Sequence, residues 1–229
     1  MTTREAHPEP MATLEPLGDQ GVLARRDSEA DATRWADAVR RASPSWLLDI
    51  VQAYTTVAVF HDPARIELVA AMAWLDALAI DDGATVPGKL HRIPCCYERG
   101  PDLALVARAV GLPPEEVIRL HGSAEYTVYA IGFCPGFPYL GYLPPELAGI
   151  PRLPSPRLRV EPGSVGLTGK QTGIYTEPRP GGWCLIGRTP LVLVDVVAGY
   201  FPLRTGDRVR FDRIDEAEFA RLQGERLID

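Results

Sequence analysis

Between Tyr126 and Asp195 the chain reads YTVYAIGFCPGFPYLGYLPPELAGIPRLPSPRLRVEPGSVGLTGKQTGIYTEPRPGGWCLIGRTPLVLVD. Glycine and proline are too dense here for ordinary helices or central strands, and aromatics stand between them. Glycine permits positive φ and close backbone approach, whereas proline fixes φ and withholds an N–H. Strand patterns still run through the stretch, at Tyr126–Ile131 and Leu191–Val194. Short strands separated by turn residues, continuing to Phe211, predict a closed barrel or sandwich. Shaped loops on such a scaffold are where binding and catalysis concentrate, so this stretch is the expected functional surface.

Upstream the periodicity changes. Residues 1–12 are polar and read as a disordered lead-in. Thr13–Ala24 predicts a strand pair turning at Gly18–Gly21, and Ser28 an N-cap for a helix to Arg41. Leu47–Ala53 and Thr55–His61 read as strands. Pro63 suits the first turn of a second helix over Ala64–Ile80, ended by Asp81-Asp82-Gly83, with Ala84–Lys89 as linker. With Lys89–Tyr97 as a last strand, this order is the ferredoxin-like arrangement. The expected fold is therefore α+β: a ferredoxin-like domain over residues 13–88, then a β-barrel domain over 89–229. Pro101–Val110 and Pro113–His121 predict two short helices before the barrel strands. Gly206-Asp207 predicts the last turn, ahead of a strand at Arg208–Phe211, and Glu216–Leu222 a terminal helix.

The chain has 229 residues and a net charge of −6, with no basic stripe, so neither composition nor charge points to nucleic acid. No apolar run is long enough to span a bilayer, and the first residues lack a secretory pattern. Four cysteines without CxxC spacing argue against a zinc site or disulfides and for a reduced, cytoplasmic setting.

Phosphate-loop, dinucleotide and HExxH fingerprints are absent. Gly163-Ser164-Val165-Gly166 only partly matches a nucleophile elbow, so Ser164 reads as a turn serine. Cys134 has no recognisable base or cation beside it and reads as a small core filler. His7 and His61 read as solvated, and His91 as a satisfied polar residue. His121 closes a helix; it is either a cation at the dipole's negative end or a general acid/base. Arg152 and Arg157, each after a proline in a rigid segment, and Arg188 suit a carboxylate or phosphoryl group, while Arg159 reads as surface. Gln171 and Tyr175 are candidates to orient an amide or carboxylate, with Lys170 adding charge. These residues support a pocket without naming a reaction.

Several motifs in fixed order resemble one family. They are GFCPGFPYLGYL at 132–143, the pairs Pro151-Arg152 and Pro156-Arg157, PGSVGL at 162–167, QTGIY at 171–175 and PGGWCLIGRTP at 180–190. GPDLALVA at 100–107 and LHGSAEYTVYAIGF at 120–133 join them. The family is variously called the 5-oxoprolinase B-type subunit, allophanate hydrolase subunit 1, the sporulation kinase inhibitor family, or carboxyltransferase domain, subdomains C and D. The resemblance implies a cyclophilin-like barrel behind a small α+β domain. It also implies one subunit of an ATP-dependent amidohydrolase, inactive alone, that opens 5-oxoproline to glutamate. A ureido acid such as allophanate is the alternative substrate, and a non-enzymatic inhibitor of a histidine kinase the alternative function. The implied partners are a second subunit, of the 5-oxoprolinase C-type or allophanate hydrolase subunit 2 type, and a lactam-utilisation type protein. ATP with Mg2+ is the implied cofactor, bound in the complex, with no metal ligand evident in this chain. On the motif positions, the resemblance implies catalytic roles for His121, Arg157 and Gln171. It implies substrate or phosphate binding by Arg152, Arg188, Gly136, Phe137, Gly163, Ser164, Tyr175, Gly181, Gly182 and Trp183. Cys184 departs from the polar residue usual at its position, and Cys96 stands where an apolar residue is usual.

Overall fold

In a computed structural model, residues 13–80 and 88–227 are described. The expected lead-in and the segment 81–87 lie outside them. The chain divides into two compact units, Met1–Val86 and Pro87–Asp229.

The first unit holds β1 (Thr13–Leu17), β2 (Gly21–Arg25), α1 (Glu29–Ala42), β3 (Leu47–Ala53), β4 (Thr56–His61) and α2 (Leu68–Asp76). Ser28 caps α1 as expected, its Oγ accepting the Asp31 N–H at 3.1 Å. Glu29 and Asp31 open the helix and Arg40 and Arg41 close it, charges that complement the dipole. Ala32, Trp35, Ala36 and Val39 pack with Val22, Ala24, Val57 and Val59 of the sheet to form one core. Burial of each larger side chain contributes about 1.5–3 kcal/mol.

The sheet order is β1-β2-β4-β3, antiparallel throughout. The expected split β–α–β core is present as β2–α1–β3 with β4 between. The expected closing strand is not: Lys89–Tyr97 supplies no strand here, and β1 holds the edge beside β2. The second helix is also shorter than its periodicity predicts. Asp62 Oδ1 accepts the Ala64 N–H at 2.9 Å and Asp62 O accepts from Arg65 and Ile66, so Pro63 lies in a turn ahead of the helix.

In the second unit β5 (Leu90–Cys95) runs parallel to β13 (Arg208–Arg213). Between them in sequence come α3 (Leu103–Val110), α4 (Pro114–Ser123), β6 (Tyr126–Ile131), β7 (Pro138–Gly141), β8 (Arg157–Val160), β9 (Ser164–Thr168), β10 (Gln171–Ile174), β11 (Arg179–Gly181) and β12 (Cys184–Arg188). The helix α5 (Glu216–Leu222) follows. Seven strands form one sheet, in the order β12-β9-β10-β7-β6-β13-β5. Its two edges meet where Cys96 and Arg188 exchange backbone hydrogen bonds of 2.8 and 2.9 Å, which nearly closes a barrel. Val128, Leu140, Leu167, Ile174, Ile186 and Val209 fill its interior. A two-stranded ribbon, β8 with β11, stands apart from the barrel sheet.

Leu191–Val194 is not the strand its composition predicts. The Leu191 N–H faces Thr189 Oγ1 at 3.3 Å, and Val192 donates to Glu225 O near the carboxyl end, so this segment is an isolated bridge.

Candidate functional site

Strand alternation turns Phe137, Tyr139, Tyr175, Trp183 and Leu185 away from the barrel interior into a second, smaller core with Cys134 and Val160. Phe137 is the centre of this cluster. Its ring lies 5.3 Å from Tyr175, 5.6 Å from Trp183 and 5.0 Å from Tyr139, all edge to face, a geometry that adds about 0.5–1.5 kcal/mol per pair beyond burial. A cleft of 290 Å3 opens beside it, lined by Phe133, Tyr139, Arg152, Pro156, Pro180, Gly181 and Gly182 together with Phe137, Tyr175 and Trp183.

Arg152 is the one charged group in that lining. Among the described residues its guanidinium has no carboxylate partner. Burial holds the Tyr139 and Tyr175 hydroxyls above the usual phenol range although Arg152 pulls the other way, so both stay protonated donors at neutral pH. Gly181 permits the approach of Tyr175: a Cβ there would sit 2.3 Å from the phenol oxygen. Gly136 makes the turn into Phe137 with φ +67°. On the same turn, Phe133 takes φ +67° while 57% exposed. Left-handed backbone at a bulky residue costs about 1–3 kcal/mol and gathers at ligand sites.

A second cavity, of 350 Å3, shares Tyr175 as a wall. Gly163, Arg188, Glu161, Thr189 and Gln223 are among its other lining residues. Gly163, at φ +83°, leaves no room for a Cβ, which would meet Thr189 O at 2.3 Å. Arg188 donates through Nε to Pro162 O at 3.0 Å and forms no ion pair among the described residues, whereas Glu161 is held by Arg159 at 2.6 Å. Ser164 is buried on β9 opposite Arg188, and its hydroxyl has no basic partner among the described residues.

Arg157 does not line the cleft. It pairs with Asp102 Oδ1 at 2.7 Å, while Asp102 Oδ2 accepts the Leu185 N–H at 2.7 Å. The pair thereby ties the start of β8 to β12 and to the entry of α3. Arg157 Nη1 is buried without a partner among the described residues. Gln171 stands on the same sheet face as Gly173 but outside the lining of either cavity.

His121 lies outside the lining of both cavities. It is fully buried inside the barrel domain, with Nδ1 2.7 Å from the Tyr97 hydroxyl and Nε2 3.0 Å from Thr172 Oγ1. The Thr172 hydroxyl donates to Gly166 O, so Nε2–H is the donor to Thr172 and Nδ1 the acceptor from Tyr97. Burial drives its pKa down to about 3. A neutral imidazole with both nitrogens engaged pins α4 to β10 and transfers no proton at the cleft. His61 is likewise buried rather than solvated, with neither ring nitrogen partnered among the described residues. All four cysteines are free and buried; Cys134 faces Thr176 Oγ1 at 3.4 Å, and burial pushes the Cys96 thiol up to about 11.

Sequence reasoning passed over Phe133, Tyr139, Pro156 and Pro180 in the cleft and Asp102 beside Arg157. The signal for the first two was the aromatic spacing of Phe133, Phe137 and Tyr139. For Asp102 it was an acid directly before a helix.

Residues 12–199 match the family described as "Carboxyltransferase domain, subdomain C and D". The chain belongs to that family. The match takes in both cavities except for Gln223. Among carboxyltransferase-domain relatives, the B-type subunit of 5-oxoprolinase from Bacillus subtilis (strain 168) is 35% identical over 229 residues, covering 90% of this chain and 94% of that protein. The protein of the same name from Haemophilus influenzae is 40% identical over 188 residues, 77% of this chain and 84% of its own length. The solved structure of TTHA0988 superposes with a TM-score of 0.76 at 38% identity, over 86% of this chain. This carboxyltransferase domain spans only 40% of that longer chain. The Kluyveromyces lactis urea amidolyase shares the fold, with a TM-score of 0.70 at 19% identity; 95% of this chain covers 16% of it. Among the described residues no helix is long and apolar enough to cross a membrane.

Proposed function

We propose that this chain is the B-type subunit of a multi-component ATP-dependent amidohydrolase that opens 5-oxoproline to glutamate and is inactive without its partners. The observation that carries the reading is the aromatic cleft with its single unpaired arginine. A five-membered lactam is flat and mostly apolar, and it bears one carboxylate. The rings of Phe137, Tyr139 and Trp183 suit its faces, and Arg152 suits its charge.

The same lining explains the need for partners. An amide is a poor electrophile, and its opening needs a general acid/base and activation of the carbonyl. The cleft contains no imidazole, carboxylate or thiol among its lining residues. Nor do the described residues include a group of three or more His, Cys, Asp or Glu that would hold a metal ion. The cleft's lining offers one cation and no carboxylate, a poor fit to a triphosphate with Mg2+. On this reading the nucleotide belongs to the assembled complex, beyond this chain's own groups. The second subunit, of the 5-oxoprolinase C-type or allophanate hydrolase subunit 2 type, and a lactam-utilisation type protein supply what the cleft lacks. This chain binds and orients the lactam.

The reading also takes the first unit as ferredoxin-like and the second as cyclophilin-like. The split β2–α1–β3 core supports the former and the near closure at Cys96 and Arg188 the latter. Four free, buried thiols support a cytoplasmic setting.

The test is to co-express the chain with its two partners and to measure ATP-dependent glutamate formation from 5-oxoproline. The complex turns over and the chain alone does not. A complete complex that consumes allophanate and leaves 5-oxoproline untouched would replace this reading with the ureido-acid one.

A further inference from the structure

We infer that the aromatic cleft and the Arg188 cavity are two subsites of one site, which takes a small dicarboxylate with one carboxylate at each arginine. This rests on the proposed function and deepens it. Two observations carry it. Tyr175 lines both cavities: its ring packs on Phe137 beside the first, and its carbonyl accepts the Gly163 N–H beside the second. Each cavity also contains an arginine without an ion pair among the described residues: Arg152 in the first and Arg188 in the second. Elsewhere on the barrel unit Arg157, Arg159, Arg179, Arg208, Arg213 and Arg226 are each paired with a carboxylate, whereas among the described residues Arg108, Arg204 and Arg210 form no ion pair either. An arginine left unpaired inside a cavity is a carboxylate receptor by charge and by its planar fork.

Both cavities are of the size that small-molecule sites occupy. Glu161 borders the second one, but its charge is committed to Arg159, and both neighbouring arginines hold it ionised below the usual range. The backbone around Arg188 is rigid: Gly163 donates to Tyr175 O at 2.7 Å and Thr189 donates to Gly163 O at 2.9 Å.

The two charges give the site a direction. 5-Oxoproline is a monoanion. On hydrolysis the carbonyl carbon gains the oxygen of water and its bond to nitrogen breaks. The nitrogen leaves as an ammonium group and a second carboxylate forms. Arg152 meets the carboxylate already present in the lactam. Arg188 meets the negative charge that develops at the carbonyl as the ring opens. Binding energy realised only at that stage favours the reaction rather than the substrate.

The probes are 5-oxoproline and glutarate, a five-carbon dicarboxylate, titrated by calorimetry into the full chain and then into the assembled complex. Glutarate binds more tightly than 5-oxoproline, and each displaces the other. Arg152→Gln weakens both. Arg188→Gln lowers glutarate affinity about tenfold more than it lowers 5-oxoproline affinity, the value of one charge-assisted pair. Arg188→Lys, which keeps the charge, restores part of the loss and guards against a folding defect in the first variant. Equal effects of Arg188→Gln on both ligands, or glutarate binding no better than 5-oxoproline, would overturn the two-subsite inference and leave the proposed function standing. Glutarate selectivity through Arg188 in a complex that makes no glutamate would sink the function and keep the dicarboxylate site. Failure of both ligands in both preparations would remove both.

Discussion

His121 sets an acid limit on the barrel. Its folded pKa, about 3, lies below the unfolded value near 6.5, so between those limits the unfolded chain binds the extra proton. The stability this group contributes is intact above pH 6.5 and is lost as pH falls towards 3. The slope is about 1.4 kcal/mol per pH unit while His121 alone is taking up the proton. Urea unfolding of wild type and His121→Gln at pH 7, 6, 5 and 4 measures it: the wild-type stability falls more steeply. Parallel curves would show that the imidazole is not the buried neutral pin described. Thr172→Val removes the acceptor of Nε2–H and costs about 1–3 kcal/mol at pH 7, read from the same unfolding curves. The sequence offered helix-end cation and acid/base as equal readings of His121. Neither survives, because burial depends on Tyr97 and Thr172, which approach only when α4 packs on the barrel. Arg152 was legible as a residue of a fixed loop, since a proline flanks it, and the structure places it in the lining of the aromatic cleft.

The ribbon of β8 and β11 is the element that shapes the cleft's rim, and one ion pair helps to hold it. Arg157→Ala leaves the Asp102 carboxylate, 9% exposed, without its counter-charge. The cost is about 1–3 kcal/mol, below that of a fully buried pair because Arg157 is 29% exposed. Hydrogen exchange then quickens at Arg157–Val160 and Arg179–Gly181 while β9 and β10 keep their protection. Uniform loosening of the barrel would contradict a local tie. Beneath the aromatic cluster, Gly173→Ala places a Cβ 2.8 Å from Pro138 O, 3.0 Å from the Phe137 ring and 3.1 Å from Trp183. Overpacking there costs about 1–3 kcal/mol, and a loss of near-ultraviolet dichroism from the aromatic cluster reports it. Elements with strong local signals were legible from sequence: α1 with its Ser28 cap, the hairpin turning at Gly18, and α5. The exceptions have separate causes. α2 begins late because the Asp62 side chain captures the backbone of the predicted first turn. Leu191–Val194 has strand composition, yet its donors are taken by Thr189 and the carboxyl-terminal segment. Pairing partners across long sequence separations are not written in local composition.

The strand β5 shows how the whole chain is partitioned. Its composition fits either unit: the ferredoxin-like pattern calls for it as a last strand, whereas the expected barrel domain begins at residue 89. It belongs to the second because β13, more than a hundred residues later, offers an unpaired edge for six residues of parallel pairing. With β5 in place the sheet meets itself at Cys96 and Arg188, and the buried core of that unit runs from Ile93 to Leu227 without a residue from the first. The core of the first unit likewise contains only residues from Val22 to Leu75. A fragment of residues 87–229 therefore folds by itself. It unfolds in one cooperative step and keeps the near-ultraviolet dichroism of the Phe137 cluster, both measurable by denaturant titration. A fragment lacking that dichroism, or unfolding without a cooperative transition, would mean that the barrel needs the first unit to form. If the fragment folds, it also retains 5-oxoproline binding, because every residue of the aromatic cleft and of the Arg188 cavity lies within it.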